Sequence, residues 1–168
     1  MDEWFDLVDE NDLVIGRERR SIVHAQNLLH RAVHILIFND AGEIFLQKRS
    51  LLKDQYPGLW STSCAGHLDS GEGYRKAALR ELYEELRVTT DQLHERLYLE
   101  ACPETGYEFL RVYTCKHNGP FVLNRDEIDK GQWFSIEALN RFIETEPQQL
   151  TPPLIYIWNH YRKQYLKK

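Results

Sequence analysis

The sequence is poor in the features that tie a chain to anything outside its own core. Cysteine occurs three times, at positions 64, 102 and 115. An odd number without C-x-x-C spacing makes neither a disulfide framework nor a thiolate metal site, and it suits reduced thiols in a cytoplasmic protein. No apolar run approaches the ~18 residues that a membrane-spanning helix requires. The opening residues MDEWFDLVDE are acidic where a secretory signal is basic. Positive charge is also short, with 21 Lys and Arg against 26 Asp and Glu. The clearest basic cluster is the terminal set Arg162, Lys163, Lys167 and Lys168. That balance argues against a nucleic-acid polymer as partner and leaves room for a small anionic ligand. Internal repeats and long low-complexity linkers are lacking too.

What remains is the composition of one globular domain spanning residues 1–168. WFDLV and LVIGRER flank Asp9-Glu10-Asn11-Asp12, so residues 1–20 read as an N-terminal β-hairpin. SIVHAQNLLH is a connector or a short helix capped by Ser21. RAVHILIF and EIFLQKR, separated by Asn39-Asp40-Ala41-Gly42, give the strongest hairpin signal in the chain. LWSTSCAG follows the Tyr56-Pro57-Gly58 break as a short buried strand. From about Gly73 to Leu86 the period is helical, with Leu79, Leu82, Tyr83 and Leu86 on one face. RLYLEAC, YEFLRVYTCKH and GQWF are further strands. Ser135 caps a helix IEALNRFIET, and Thr151 with Pro152 opens a last one. Strands on both sides of the central helix imply a mixed sheet covered by helices.

That central helix places Glu81, Glu84 and Glu85 within little more than a turn, opposite Leu79, Leu82 and Leu86. Like charges at i,i+4 cost a helix a few tenths of a kcal/mol. One reading is a solvated helix face. Such a face usually mixes signs, whereas this one sets Ala77, not a lysine, beside the acids. The segment GHLDSGEGYRKAALRELYEELRV, residues 66–88, also carries Gly66, Glu72, Arg80, Glu81, Glu84 and Glu85 at fixed spacing. It resembles the Nudix box, G-x5-E-x7-R-E-U-x-E-E-x-G-U with U apolar. A match this close arises by chance in one chain on the order of 10⁻⁶. Arg87 stands where the family has a glycine that ends the helix in a left-handed conformation. The arginine implies a cost in stability of about 1 kcal/mol and leaves every carboxylate in place.

The resemblance implies a Nudix-type α/β/α sandwich with a mixed sheet, and a pyrophosphatase-like hydrolase acting on a small-molecule diphosphate. It implies that Glu81, Glu84 and Glu85 ligate Mg²⁺ or Mn²⁺ and share the role of base. It also implies that the Gly66 carbonyl can join the metal shell, while Glu72 and Arg80 brace the loop against the helix. Mg²⁺ is suited to such a set, because it takes hard oxygen ligands together with substrate phosphates. Lys48 and Arg49, at the end of EIFLQKR, are candidates to bind phosphate. Glu104 or Glu108 is a candidate late ligand or base. His24, His30 and His34 form a loose metal-type set or are ordinary structural histidines. Tyr56 and Trp60 either stack on a base or fill the core.

DLVDENDLVIG, LHRAVHILIFNDAGEIFLQKRS and PGLWSTSCAGHL narrow the resemblance to the branch that includes isopentenyl-diphosphate isomerase and hydrolase-like relatives. The isomerase carries a catalytic cysteine directly before the position of Gly66, and here that place is Ala65. Cys64 lies one residue earlier, where strand alternation turns it to the opposite face. The isomerase's metal histidine has a match in His67. Its paired glutamates match only Glu108, with Gly106 at the other position. The full R-E-x-x-E-E signature favours a hydrolase, with an isomerase or a non-catalytic ligand-binding module as alternatives. A monomer or a homodimer is expected, with no membrane association.

Overall fold

The structure, a computed structural model, describes residues 2–166. Lys167 and Lys168 of the basic tail lie outside the described residues. Strands β1 (Trp4–Val8) and β2 (Val14–Arg19) form the expected antiparallel hairpin as a separate two-stranded sheet. Its turn is tied by the Asp9 carboxylate, which accepts from the backbone N–H of Asn11 and Leu13. Helix α1 (Arg20–Gln26) follows, with Arg19 and not Ser21 at its N-cap. Ser21 lies inside the first turn and gives its hydroxyl hydrogen to Asp2.

The main sheet has seven strands: β3 (His30–Phe38), β4 (Ile44–Arg49), β5 (Trp60–Ser61), β6 (Cys64–His67), β7 (His94–Leu99), β8 (Glu108–Lys116) and β9 (Ile128–Phe134). The β3–β4 hairpin holds only at its mouth, where Phe38 pairs with Ile44. Beyond that pair the strands part. β3 runs parallel to β8 on one edge and antiparallel to β6 on the other, while β4 is taken up by β9 and β5. The single buried strand expected over LWSTSCAG is likewise two short ones.

Alternation along β3 sorts the core into two layers. Val33, Ile35 and Ile37 pack with Ala77, Ala78, Leu82 and Leu86 of α2 (Tyr74–Leu86). Ala32 and Leu36 face the other way, onto α3 (Ile136–Thr145) and α4 (Pro152–Tyr165), where Leu139, Leu154, Ile157 and Trp158 are fully buried. The result is the α/β/α sandwich. Both outer helices start where expected: the Ser135 hydroxyl oxygen accepts from Ala138 N–H at 3.0 Å, and that of Thr151 from Leu154 N–H at 3.2 Å.

The hairpin is pinned to this body by one carboxylate. Asp12, 8% exposed, receives Arg31 Nε–H at 2.6 Å, Tyr74 O–H at 2.7 Å and Tyr98 O–H at 3.1 Å. The Arg111 guanidinium lies over both tyrosine rings.

Candidate active site

The helix faces α2 presents differ from the sequence expectation. Glu81 and Glu85 lie on its buried side, 8% and 5% exposed, whereas Tyr83 is half exposed. Glu84 stays at the surface. Burial of two acids one turn apart is costly unless each has partners. Arg80 partners the first of them. Its Nη1 donates to Glu81 at 2.8 Å and Glu84 at 3.1 Å, and its Nη2 reaches the His67 carbonyl at 3.0 Å. Glu72 grips the same guanidinium through both oxygens at 2.8 Å and accepts Asp69 N–H, so the pair ties the β6–α2 loop to the helix. Glu85 takes Gln47 Nε2–H at 2.7 Å.

Gly66 stands against this pair, and a Cβ there would run into the Glu81 carboxyl. Glycine is needed at this position for close approach. The two buried acids hold their protons more strongly than ordinary carboxylates. For Glu81 burial is the main cause, followed by the charge of Glu85. For Glu85 it is burial, followed by the charge of Glu127. Acids so crowded, with a neighbouring backbone carbonyl and one shared arginine, are a donor set that a hard divalent cation fits.

A second ligand set lies on the far side of β6. The β3–β8 register sets His30 beside Glu108, and the β3–β6 register sets His67 beside Ala32. His24 of α1 completes a group whose ligand atoms all lie within 4.8 Å of one another. His67 Nε2 is 2.5 Å and His30 Nε2 3.1 Å from the same Glu108 oxygen. His30 Nδ1–H donates to the Leu28 carbonyl at 2.8 Å, which fixes the ring with its Nε2 toward the Glu108 carboxylate. His24 Nε2 is buried without any hydrogen-bond partner. Burial depresses the proton affinity of His24, to about 4, and of His67. Glu108 sits well below the usual carboxylate range, because the two imidazoles beside it outweigh its burial. An orphaned nitrogen beside two further ring nitrogens that converge on one carboxylate oxygen also fits a cation. The Phe5 ring roofs the set, its centroid 4.7 Å from that of His67.

The histidine set suspected from sequence is thus half right. His24 and His30 belong to it, but His34 lies four residues farther along β3, about 13 Å at strand rise, and bonds the Thr62 hydroxyl instead. Glu104 lies in an exposed 3-10 turn, away from the set. Local spacing carries no sign of His67 and Glu108 meeting His24, because only sheet register brings them together.

Both sets open into one cavity of about 290 Å³. Arg49 lines it and Lys48 does not. The two alternate on β4, so Arg49 shares a face with Phe45 and Gln47 while Lys48 looks the other way. Arg20 and Lys53, which sequence reading missed, line it together with Arg49. Lys53 Nζ is 3.3 Å from Glu127, and Arg20 forms a two-point pair with Asp54. Trp60 is core, whereas Tyr56 lines the cavity. Cys64 is fully buried against α2 with its thiol pushed well up by burial, and Ala65 is the residue on the cavity.

A NUDIX domain model matches residues 28–154. The chain is 33% identical over 170 residues to an uncharacterised Nudix hydrolase of Yersinia pestis, covering 98% of this chain and 91% of that one. It is 35% identical over 155 residues to an isopentenyl-diphosphate Delta-isomerase of Serratia proteamaculans, covering 90% and 87%. The crystal structure of DR0079 from Deinococcus radiodurans superposes with a TM-score of 0.81 at 26% identity, over 97% and 99% of the two chains. The chain belongs to the Nudix family.

Proposed function

We propose that this protein hydrolyses a phosphoanhydride bond in a nucleoside-diphosphate-type substrate with Mg²⁺ or Mn²⁺ as cofactor. The observation that carries the reading is the buried Glu81–Glu85 pair beside Gly66, crowded acids whose charged forms a divalent cation would stabilise. Glu81, Glu84, Glu85 and the Gly66 carbonyl would hold the metal. When bound there it would offset negative charge on the phosphoryl oxygens and acidify water. The chain's own groups do the rest. Arg49, with Arg20 and Lys53 beside it, binds the diphosphate oxygens. Arg80 and Gln47 fix the glutamates in one orientation. A glutamate of the trio takes the proton of the attacking water as it moves in line onto phosphorus.

A second reading, an isomerase of an allylic-type diphosphate, is favoured by the His24, His30, His67 and Glu108 set and by the isomerase relatives. Ala65 at the cavity and an inert, inward-facing Cys64 weigh against it. The deciding experiment supplies nucleoside di- and triphosphates, dinucleotides, sugar nucleotides and isopentenyl diphosphate, with Mg²⁺ or Mn²⁺ and with chelator. Metal-dependent phosphate release from a nucleotide is expected. Isomerisation of isopentenyl diphosphate with no hydrolysis of any nucleotide overturns the reading.

A further inference from the structure

Tyr56 carries a conformational burden that no contact of its side chain explains. Its φ is +50°, in the left-handed region that a bulky side chain rarely enters. Pro57 follows, and a proline pushes the residue before it toward extended backbone. The conformation is imposed from outside: Gly58 N–H donates to the Arg49 carbonyl at 3.0 Å, and Arg49 Nε–H donates to that of Gln55 at 2.9 Å. Strain held in this way concentrates where a side chain is needed in one place. The other non-glycine residues with positive φ have evident structural roles. Asp12 pins the hairpin, Asn27 and Arg87 end helices, and Tyr107 gives its carbonyl to His30 N–H. The Tyr56 carbonyl likewise accepts Leu59 N–H at 3.3 Å, but a glycine would serve that turn, and the tyrosine side chain adds nothing to it. Among the described residues its ring stacks on no other and its hydroxyl bonds nothing, yet it stands half-buried on the cavity wall, next to Arg49 and Lys53.

The cavity's composition points to what the ring is for. Tyr56 is its single Phe, Tyr or Trp, and the apolar side chains beside it are the small ones of Ala32, Ala65 and Pro153. An alkyl diphosphate would find little apolar surface there. A planar heterocycle would find an aromatic ring to stack on, and Gln55, which also lines the cavity, would offer amide groups to its edge. We infer that Tyr56 is the stacking platform for the substrate's base, which makes the substrate a nucleotide and not an alkyl diphosphate. This rests on the hydrolase reading above and specifies the substrate class for that same cavity.

The test compares wild type, Tyr56→Phe and Tyr56→Gly. KM and kcat are read as phosphate release from ADP, CDP, GDP and UDP. The control is the inhibition constant of methylenediphosphonate, a diphosphate mimic with no base. Tyr56→Gly should raise KM for at least one nucleotide by roughly 5- to 100-fold, the range of base–aromatic stacking, with kcat within about threefold. Methylenediphosphonate should inhibit as before, and Tyr56→Phe should keep the wild-type KM. The melting temperature of Tyr56→Gly should equal or exceed that of wild type, since glycine accepts φ +50° freely. An unchanged KM in the glycine variant overturns the inference. So does an equal loss of methylenediphosphonate binding, which would make Tyr56 a support of the phosphate loop, or a Phe variant as weak as the Gly one. Wild type that releases phosphate from none of the four nucleotides sinks the nucleotide reading and this inference together. Turnover indifferent to Tyr56 sinks the inference alone.

Discussion

Glu85 makes the sharpest residue-scale claim. Gln has the shape of Glu without the charge, so Glu85→Gln keeps the Gln47 contact within reach while removing a hard-oxygen ligand. kcat on the best substrate should fall by about 10²–10³, the loss typical of one electrostatic anchor. Near-normal turnover would return the cluster to the status of an unusual helix face. Cys64→Ala is the counterpart. The thiol is wholly buried beside Glu85 and does not line the cavity, so turnover should stay within a few-fold of wild type while stability drops by about 1 kcal/mol. A loss beyond about a hundredfold, the lower range for a catalytic acid or base, would restore a thiol mechanism.

At the scale of the element, the helix that carries the acids ends under strain. Arg87 holds φ +57°, with its N–H on the Tyr83 carbonyl and Val88 N–H on that of Leu82. Only its guanidinium, 4.9 Å from the centre of the Tyr83 ring, offsets this. Arg87→Gly should therefore raise stability by up to ~1 kcal/mol without altering turnover. Denaturant unfolding measures it, and a loss of stability would show that the cation–ring contact outweighs the strain. The helix also shows what could be read in advance. Caps are local, so Ser135 and Thr151 were legible, and so was the spacing of Gly66, Glu72, Arg80 and the three glutamates. Which side of α2 faces inward was not, because the apolar period groups Tyr83 with the leucines and sets the acids opposite them. The sheet buries Glu81 and Glu85 while leaving Tyr83 outside. Nor could the β3–β4 hairpin be seen to open beyond Phe38 and Ile44, since β9 arrives from more than eighty residues away to claim β4.

Across the whole molecule, two ligand sets share β6, Gly66 toward the acids and His67 toward the histidines. Divalent cations should bind the folded state alone and raise its melting temperature. Millimolar Mg²⁺ or Mn²⁺ should exceed NaCl of matched ionic strength, and Glu81→Gln with Glu85→Gln should remove much of the Mg²⁺ effect. Equal shifts with salt and metal would contradict the metal site.

The Asp12 clamp has a consequence for the order in which the chain folds. One carboxylate gathers partners 19, 62 and 86 residues away. The full set cannot close until the hairpin, β3, α2 and β7 are all docked. Interactions so remote in sequence belong to the native side of the folding barrier. Asp12→Ala should cost about 3 kcal/mol, as breaking a buried pair does. Nearly all of that should appear as unfolding faster by about a hundredfold, with the refolding rate almost unchanged. Stopped-flow denaturant jumps measure both limbs, and a slowed refolding limb would place the clamp in the nucleus instead. A hairpin fastened last is also the first part to let go, so its release, and not global unfolding, would set how quickly solvent reaches the histidines beneath Phe5.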